Sequence, residues 1–258
     1  MSDSQFPAAN QGSGSVYPPT PPMSQAPQSL SVPAGRNVVV VATHNQPPQG
    51  RSVLPFVTAP DSQLAAGFRV LAHRLKGVNN PRTIAISSPR RDEGKTTLAI
   101  NLAMALAEHG RDKVLLVEAN LRNPRVGEAL GFAPPNCFGE QMVRYLDLPG
   151  EPWRVVAAFF DNLHVLAVHP RSKGTWLLNA PAFRAAMAQL KEAPYAHIIV
   201  DCPGALGTAD VNIIEDTTDG VILTAMAGMT KGAHLIRTQE HLAPANILGT
   251  VLMNGRYD

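Results

Sequence analysis

Short apolar runs alternate along the chain with longer stretches in which apolar residues recur at helical spacing. From residue 61 onward the apolar runs are TIAIS (83–87), KVLLVEA (113–119), LHVLAV (163–168), HIIVDC (197–202), GVILTAM (220–226) and ILGTVLMN (247–254). Runs of this length are typical of strands buried on both faces. Helical stretches between such strands favour parallel pairing. The pattern therefore predicts an α/β fold with a doubly wound, mostly parallel sheet.

A different composition marks the first 60 residues, which contain 11 of the 23 prolines and only three charged side chains. This density of proline predicts a Pro-rich, largely disordered arm over residues 1–60, followed by one folded domain over residues 61–258. Within the arm, the β-branched run NVVVVAT (37–43) is compatible with a short strand at a sheet edge. The domain is predicted to open with a helix over DSQLAAGFRVLAHRLKG (61–77), whose apolar residues have helical spacing.

Charge and composition narrow the function classes. The formal net charge of +2 comes without a dense basic stretch, so no nucleic acid partner is expected. No apolar run approaches the roughly 18 to 20 residues that span a bilayer, and the N-terminus lacks the pattern of a signal peptide. The protein is therefore predicted to be cytoplasmic, with no membrane span of its own. Cys137 and Cys202 have no metal-type spacing and are predicted to be reduced thiols.

The segment that follows the run TIAIS carries the strongest chemical signal. In EGKTTLAINLAMALAEHG (93–110), the residues Gly94, Lys95, Thr96 and Thr97 open a predicted helix. Backbone N–H groups at such a position bind phosphate, a lysine reaches the outer phosphates and a hydroxyl binds Mg²⁺. These four residues therefore predict a site for nucleotide phosphates and Mg²⁺.

A longer stretch, GKTTLAINLAMALAEHGRDKVLLVEANLRNP (94–124), resembles the deviant Walker ATPases and especially the bacterial tyrosine kinases of polysaccharide export. That family accepts a residue other than glycine where this chain has Pro89, whereas Arg91 and Asp92 depart from its usual residues. Relatives that position septa and chromosomes have a lysine at the place of Arg90, which is accordingly predicted to contact the phosphates, although a solvated surface charge explains it about equally well. The likeness extends over most of the chain from about residue 52.

The resemblance implies a P-loop NTPase fold, with ATP and Mg²⁺ as ligands. It implies transfer of the ATP γ-phosphate to protein tyrosine in the regulation of exopolysaccharide or capsule synthesis and export, with Lys95 as a catalytic residue that neutralises the transferring group. The implied partner is a membrane-embedded polysaccharide co-polymerase or activator, which would recruit the chain to the inner membrane face. A homo-oligomer is also implied.

Two aspartates of the family's second Walker pattern are replaced in this chain. LLVEANLR (115–122) has Glu118 and Asn120 at their places and retains Arg122. By the resemblance, Glu118 and Asn120 would hold Mg²⁺, and Glu118 would also act as a catalytic residue that orients the tyrosine hydroxyl. The lost charge at Asn120 predicts weaker metal binding.

Further positions complete the expected site. The strand end and the resemblance both assign Asp201 to Mg²⁺ and catalysis, together with Thr96. Asp210 corresponds to a family aspartate near the site, although a helix cap explains it nearly as well. Asn254 matches the asparagine that contacts adenine in the family, or else it merely ends a strand. Gly204 stands where the family usually has proline.

Two other family features are reduced. The ring-forming pattern E-x-x-R-x-x-R appears as Ala66, Arg69 and Ala72, and the tyrosine-rich tail as Tyr257 alone, which argues against a ring and clustered autophosphorylation. Two alternatives to a kinase are therefore kept. One is a catalytically weak, nucleotide-dependent regulator of a polysaccharide export complex, which the changed residues at 118 and 120 favour. The other is a MinD- or ParA-like positioning ATPase, for which the expected basic C-terminal helix is missing.

Overall fold

A computed structural model describes residues 37–48, 54–77, 80–172 and 178–254 of the chain. The predicted disordered arm, residues 1–60, falls for the most part on residues 1–36 and 49–53, which lie outside the described residues. Tyr257 lies outside them as well.

The strands coincide with the apolar runs of the sequence, with two additions. They are β1 (Val38–His44), β2 (Thr83–Ser88), β3 (Val114–Glu118), β4 (Trp153–Ala158), β5 (Phe160–Leu166), β6 (His197–Gly204), β7 (Gly220–Met226) and β8 (Ile247–Met253). They form one sheet in the order β1-β4-β5-β3-β6-β2-β7-β8. Every neighbouring pair is parallel except β4 and β5, which are antiparallel. The predicted mostly parallel sheet is confirmed.

Helices cover both faces of this sheet. They are α1 (Pro55–Thr58), α2 (Gln63–Gly77), α3 (Lys95–Ala107), α4 (Val126–Leu130), α5 (Phe138–Asp147), α6 (Ala180–Glu192), α7 (Asp210–Glu215) and α8 (Gly232–Leu242). Among the described residues, no helix combines the length and the apolar character that crossing a bilayer requires.

The core is divided by the sheet into two apolar layers. In β6, Ile198 and Val200 face the layer under α5, α6 and α7, whereas Ile199 faces the layer under α2 and α3. This alternation follows from the two-residue period of a strand. The alternation explains why the central strands appear in the sequence as continuous apolar runs. Because both faces of these strands are buried, polar functional side chains are expected at the strand ends.

The N-terminal edge of the sheet begins within the segment predicted as an arm. Strand β1 pairs in parallel with β4, with Val38 opposite Trp153. Further along, Leu54 and Phe56 are buried against the layer that contains α2 and α3. Residues on both sides of the 49–53 gap thus contribute to the sheet and its covering layer.

Strand β4 was not predicted from the sequence. It turns directly into β5 through Phe159, which adopts a left-handed φ of 60°. Glycine or asparagine normally signals such a turn, because other residues enter the left-handed region at a steric cost. Without that signal, the run from residue 153 to residue 166 could not be divided into two antiparallel strands.

Candidate functional site

A tight loop connects β2 to α3 at the carboxyl end of the sheet. This phosphate loop (residues 88–94) contains two left-handed residues, Asp92 with a φ of 60° and Gly94 with a φ of 86°. A Cβ atom at Gly94 would lie 2.9 Å from Cγ of Met253, at the end of β8. Glycine is therefore required here both by the backbone conformation and by the close approach of β8.

Glu93 braces the phosphate loop from inside. Its side chain is buried, and its Oε2 accepts a hydrogen bond from the backbone N–H of Arg90 at 2.6 Å. Its Oε1 accepts one from the Thr230 hydroxyl at 2.7 Å. This side chain therefore ties the loop to the segment after β7. The contact spans 137 residues of sequence, and nothing in the local sequence around Thr230 indicated it.

Gly204 allows the loop to approach the end of β6. A Cβ atom at this position would lie 2.8 Å from the carbonyl carbon of Arg90. Such a distance is below van der Waals contact, so any larger residue would displace the loop backbone. Glycine in place of the family's usual proline at position 204 therefore permits the close approach of the loop backbone at Arg90.

Lys95 is almost completely buried beneath the loop. Its Nζ donates hydrogen bonds to the Ser88 hydroxyl at 3.0 Å and to the Arg90 carbonyl at 2.9 Å. Burial lowers the pKa of the Lys95 ammonium, and the charge of Asp201 opposes this shift. The lysine therefore bonds to its own loop, and it also lines the open side of the site.

Thr96 and Asp201 form a hydrogen-bonded pair next to Lys95. The Thr96 hydroxyl donates to Oδ2 of Asp201 at 2.7 Å. Asp201 is fully buried, and this desolvation raises its pKa to about 7 against the effects of the Thr96 hydrogen bond and the Lys95 charge. Within the described part of the chain, its Oδ1 is buried and has no hydrogen-bond partner.

This pair fits a hard divalent cation. An unpaired buried carboxylate oxygen is costly unless something compensates for it, and Mg²⁺ is normally bound by one or two carboxylate or hydroxyl oxygens together with phosphate and water. The described residues contain no cluster of three or more His, Cys, Asp or Glu side chains that could form a metal site from protein alone. A site completed by phosphate is therefore the arrangement that suits Thr96 and Asp201.

An open cleft of about 1090 Å³ lies above the loop. Its walls include Arg90, Gly94, Lys95, Thr96 and Thr97, which the sequence had assigned to the nucleotide. Asn120 and Arg91 also line it. Asp201 lies behind Thr96 rather than at the surface of the cleft, and Asn254 is an exposed residue after β8 that is not part of the walls. The contact between Asn254 and adenine stays a prediction.

Glu118 does not face this cleft, contrary to its predicted roles. Its side chain is fully buried, and Oε1 accepts hydrogen bonds from the backbone N–H groups of Arg125 and Val126. Oε2 accepts a third from Val168 at 2.8 Å. Desolvation raises the pKa of this carboxyl to about 8. Because both oxygens accept backbone hydrogen bonds and the side chain does not line the cleft, Glu118 connects the loop after β3 to Val168 in this structure, and its roles toward Mg²⁺ and tyrosine stay predictions.

An ion pair crosses the cleft beside Asn120. Nε of Arg122, in the loop after β3, lies 3.7 Å from Oδ2 of Asp210 at the start of α7. Both side chains line the cleft. Helix α7 has Ala209 at its N-cap position, with no side-chain capping bond. Asp210 therefore does not act as the helix cap that the sequence had left open as its explanation.

Comparison with known proteins decides the family. No family model matches the sequence. The chain is 30% identical over 205 residues to tyrosine-protein kinase YwqD of Bacillus subtilis, and the match covers 78% of this chain and 84% of that protein. The chain belongs to the bacterial tyrosine kinases. The family prediction from the sequence is thus confirmed.

One further relative is similar in sequence, and two solved structures share the fold. The succinoglycan biosynthesis transport protein ExoP of Rhizobium meliloti is 27% identical over 209 residues, covering 76% of this chain but 25% of that longer protein. The chimerical protein CapA2B2 has a TM-score of 0.67 at 21% identity, covering 85% of this chain and 96% of the other. The kinase domain of Escherichia coli tyrosine kinase ETK has a TM-score of 0.64 at 20% identity, and the match covers 86% of this chain and 94% of that chain.

A more distant neighbour contains a nucleotide. The septum site-determining protein MinD from Pyrococcus horikoshii, complexed with Mg-ADP, has a TM-score of 0.54 at 24% identity and covers 69% of this chain and 72% of that protein. Likeness at this identity shows a shared fold, which confirms the predicted P-loop NTPase architecture.

The one remaining arginine of the family's ring-forming pattern is used within this chain. Nε of Arg69 donates to Glu108 at 2.7 Å, and a guanidinium N–H donates to the carbonyl of Pro60. The guanidinium carbon also lies 5.2 Å from the ring centre of Phe56. Arg69 thus connects α2 to α3 and to the segment around α1.

Proposed function

We propose that this bacterial tyrosine kinase family member is itself an ATP- and Mg²⁺-dependent protein-tyrosine kinase. The observation that carries the proposal is the buried Oδ1 of Asp201, left without a partner beside Thr96 and Lys95. A carboxylate oxygen in this position suits a cation that arrives with a triphosphate, as in phosphoryl-transfer sites generally.

Different residues at the phosphate loop would bind the phosphates and the Mg²⁺ ion. Gly94 and the first residues of α3 line the cleft, where their backbone N–H groups would hold phosphate oxygens. Lys95 would exchange its bonds to Ser88 and Arg90 for the outer phosphates, because a charged acceptor binds an ammonium more strongly than a neutral one. Mg²⁺, when bound at Thr96 and Asp201, supplies positive charge at the β- and γ-phosphates.

Arginine side chains supply further charge around this position. Arg90 and Arg91 are exposed on the loop and line the cleft, where they would neutralise the phosphoryl group during transfer. Asn120 would offer one neutral oxygen to the metal. Because it lacks the charge of an aspartate, metal affinity is expected to depend mainly on Asp201.

The biological setting is proposed from the relatives. The name of ExoP places that protein in succinoglycan biosynthesis and transport. We propose that the present chain regulates synthesis and export of an exopolysaccharide or capsule, and that a membrane-embedded co-polymerase or activator recruits it to the cytoplasmic membrane face. Assembly with further copies of the chain belongs to the same proposal.

A second function is favoured by one specific observation. Glu118 is bound to three backbone amides and Asn120 carries no charge, so neither of the two replaced positions offers a free carboxylate to the cleft. A nucleotide-dependent regulator of an export complex, with little phosphotransfer, would have this arrangement. The kinase and the regulator both require nucleotide binding, and they differ in transfer to tyrosine.

Incubation of the purified chain with γ-labelled ATP, Mg²⁺ and a copolymer of glutamate and tyrosine separates the two functions. If the chain is a kinase, label appears on tyrosine and is lost when EDTA removes Mg²⁺, since Asp201 and Thr96 alone provide no positive charge at the phosphates. Phosphotyrosine analysis and a nucleotide-binding titration are run on the same sample. Nucleotide binding with no label on tyrosine would contradict the kinase and support the regulator.

A further inference from the structure

Because Glu118 is buried away from the cleft, another group has to take the proton from the tyrosine hydroxyl that accepts the phosphoryl group. Its oxygens accept hydrogen bonds from Arg125, Val126 and Val168, and Glu118 is not among the residues that line the cleft. The carboxamide of Asn120 cannot act as a base near neutral pH. Neither of the two positions that the family uses for carboxylates therefore presents a carboxylate on the wall of the cleft, where a tyrosine hydroxyl would enter.

Asp210 is a carboxylate that does face the cleft. It is the first residue of α7, and its side chain is 15% exposed on the cleft wall. Its backbone N–H donates to the Thr208 hydroxyl, and its carboxylate pairs with Arg122. Among the described residues it has no other ion pair, and it makes no capping bond to its helix. In contrast to Glu118, its oxygens remain available to a ligand.

Sheet order places Asp210 beside the phosphate loop. Strand β6 lies between β2, which leads into the loop, and β3, which leads to Arg122. The chain after β6 reaches Asp210 within a few residues, so the carboxylate lies on the β3 side of the loop. If adenine lies toward β8, as predicted for Asn254, the γ-phosphate end of ATP points to this same side. An incoming hydroxyl would meet Asp210 there.

We propose that Asp210 is the catalytic residue that accepts the proton of the tyrosine hydroxyl, an inference that rests on the proposed kinase function. In the step, the bond between the γ-phosphorus and the β,γ-bridging oxygen breaks, and a bond from that phosphorus to the tyrosine oxygen forms. The hydroxyl proton passes to Asp210, and ADP leaves with the bridging oxygen. The proton is then released to solvent, so the carboxylate is regenerated.

Arg122 acts as a positioning residue for this carboxylate. At 3.7 Å, with the arginine side chain half exposed, the pair is a weak ion pair that contributes little to stability. It nevertheless directs Asp210 across the cleft toward the loop after β3. A weak pair also leaves the carboxylate free to accept a proton, whereas the three bonds at Glu118 would have to be broken first.

The test compares Asp210→Asn with Asp210→Glu in label transfer to the glutamate–tyrosine copolymer, with MgATP affinity measured by calorimetry. Losing a general base costs about 10²- to 10⁴-fold in rate. Asp210→Asn is therefore expected to lower kcat by about 10²-fold or more while the KM for the copolymer and the MgATP affinity change by less than about twofold. Asp210→Glu is expected to recover at least about tenfold of the lost rate.

A matched control is available at the C-cap of the same helix. Asp216→Asn removes an exposed aspartate that pairs with Arg184 at 2.7 Å, and it is expected to leave the rate unchanged. A wild-type rate in Asp210→Asn would overturn the inference and leave the kinase proposal standing.

Loss of MgATP binding in parallel with kcat would overturn it as well, since the residue would then be structural. Loss of rate in Glu128→Gln, another carboxylate of the cleft, but not in Asp210→Asn would also overturn it. No transfer by the wild type would overturn both proposals.

Discussion

Replacing Lys95 by alanine is expected to lower phosphoryl transfer to tyrosine by at least about 10²-fold, because the buried ammonium is the one lysine that lines the cleft in the described part of the chain. Its side chain already lies within 3.0 Å of the loop oxygens at Ser88 and Arg90. A small movement brings it to the phosphates, and alanine leaves that charge uncompensated. Single-turnover transfer from labelled ATP measures the effect.

The matched control for this variant is Lys76→Ala. Lys76 pairs with Asp112 at 2.8 Å, just before the start of β3 and so at the opposite end of the sheet from the cleft. Its replacement is expected to leave the transfer rate unchanged. A Lys95→Ala protein that folds normally and keeps more than about a tenth of the wild-type rate would show that the loop lysine does not serve the reaction.

The second large effect is on stability. Glu118→Ala is expected to lower the free energy of unfolding by about 3–5 kcal/mol, because it leaves three backbone N–H groups, two of them buried, without their acceptor. For a domain of this size the melting temperature would fall by roughly 10 °C. Glu118→Gln is expected to cost less, since its amide oxygen can still accept from Arg125 and Val126. Urea unfolding of the three proteins measures these differences.

Glu240→Ala serves as the control for Glu118. Glu240 is an exposed acid on α8, and its replacement is expected to change the free energy of unfolding by less than about 0.5 kcal/mol. If Glu118→Ala unfolded at the same urea concentration as Glu240→Ala, the three hydrogen bonds would not be holding the loop after β3 in place.

The fold was largely readable from the sequence because the central strands are buried on both faces. Such strands must be apolar at every position, which makes each run stand out. The β4–β5 hairpin was not readable, because Phe159 makes a left-handed turn without the glycine or asparagine that normally marks one. The edge strand β1 was recognisable as a β-branched run, but its partner strand, β4, was not predicted, so the pairing of the two could not be predicted either.

The candidate site was predictable where one local segment forms it. The segment from Gly94 to Thr97 has a spacing that predicts phosphate binding without any other part of the chain, and the structure brings it next to Asp201 at the end of a neighbouring strand. The bracing of the loop by Glu93 and Thr230 depends on residues far apart in the chain, so no local pattern reports it.

Glu118 shows why resemblance alone could not give the position of one side chain. A glutamate differs from an aspartate by one methylene group, and by sequence it was expected to point into the site on a longer arm. In the structure the longer side chain is buried and accepts hydrogen bonds from three backbone amides. Two belong to the nearby residues Arg125 and Val126, and the third belongs to Val168, 50 residues further along the chain. A conservative change in the family pattern is thus accompanied by a carboxylate that does not line the cleft.

Calorimetric titration of the purified chain with ATP tests the central claim, that the cleft binds a triphosphate whose Mg²⁺ is held by Asp201 and Thr96. The account predicts that Mg²⁺ tightens ATP binding by at least about tenfold, or 1.4 kcal/mol, over EDTA in the wild type. The same comparison in Asp201→Asn is expected to show little difference between the two conditions. Absence of binding heat in the wild type, or equal ATP affinity with Mg²⁺ and with EDTA, would contradict it.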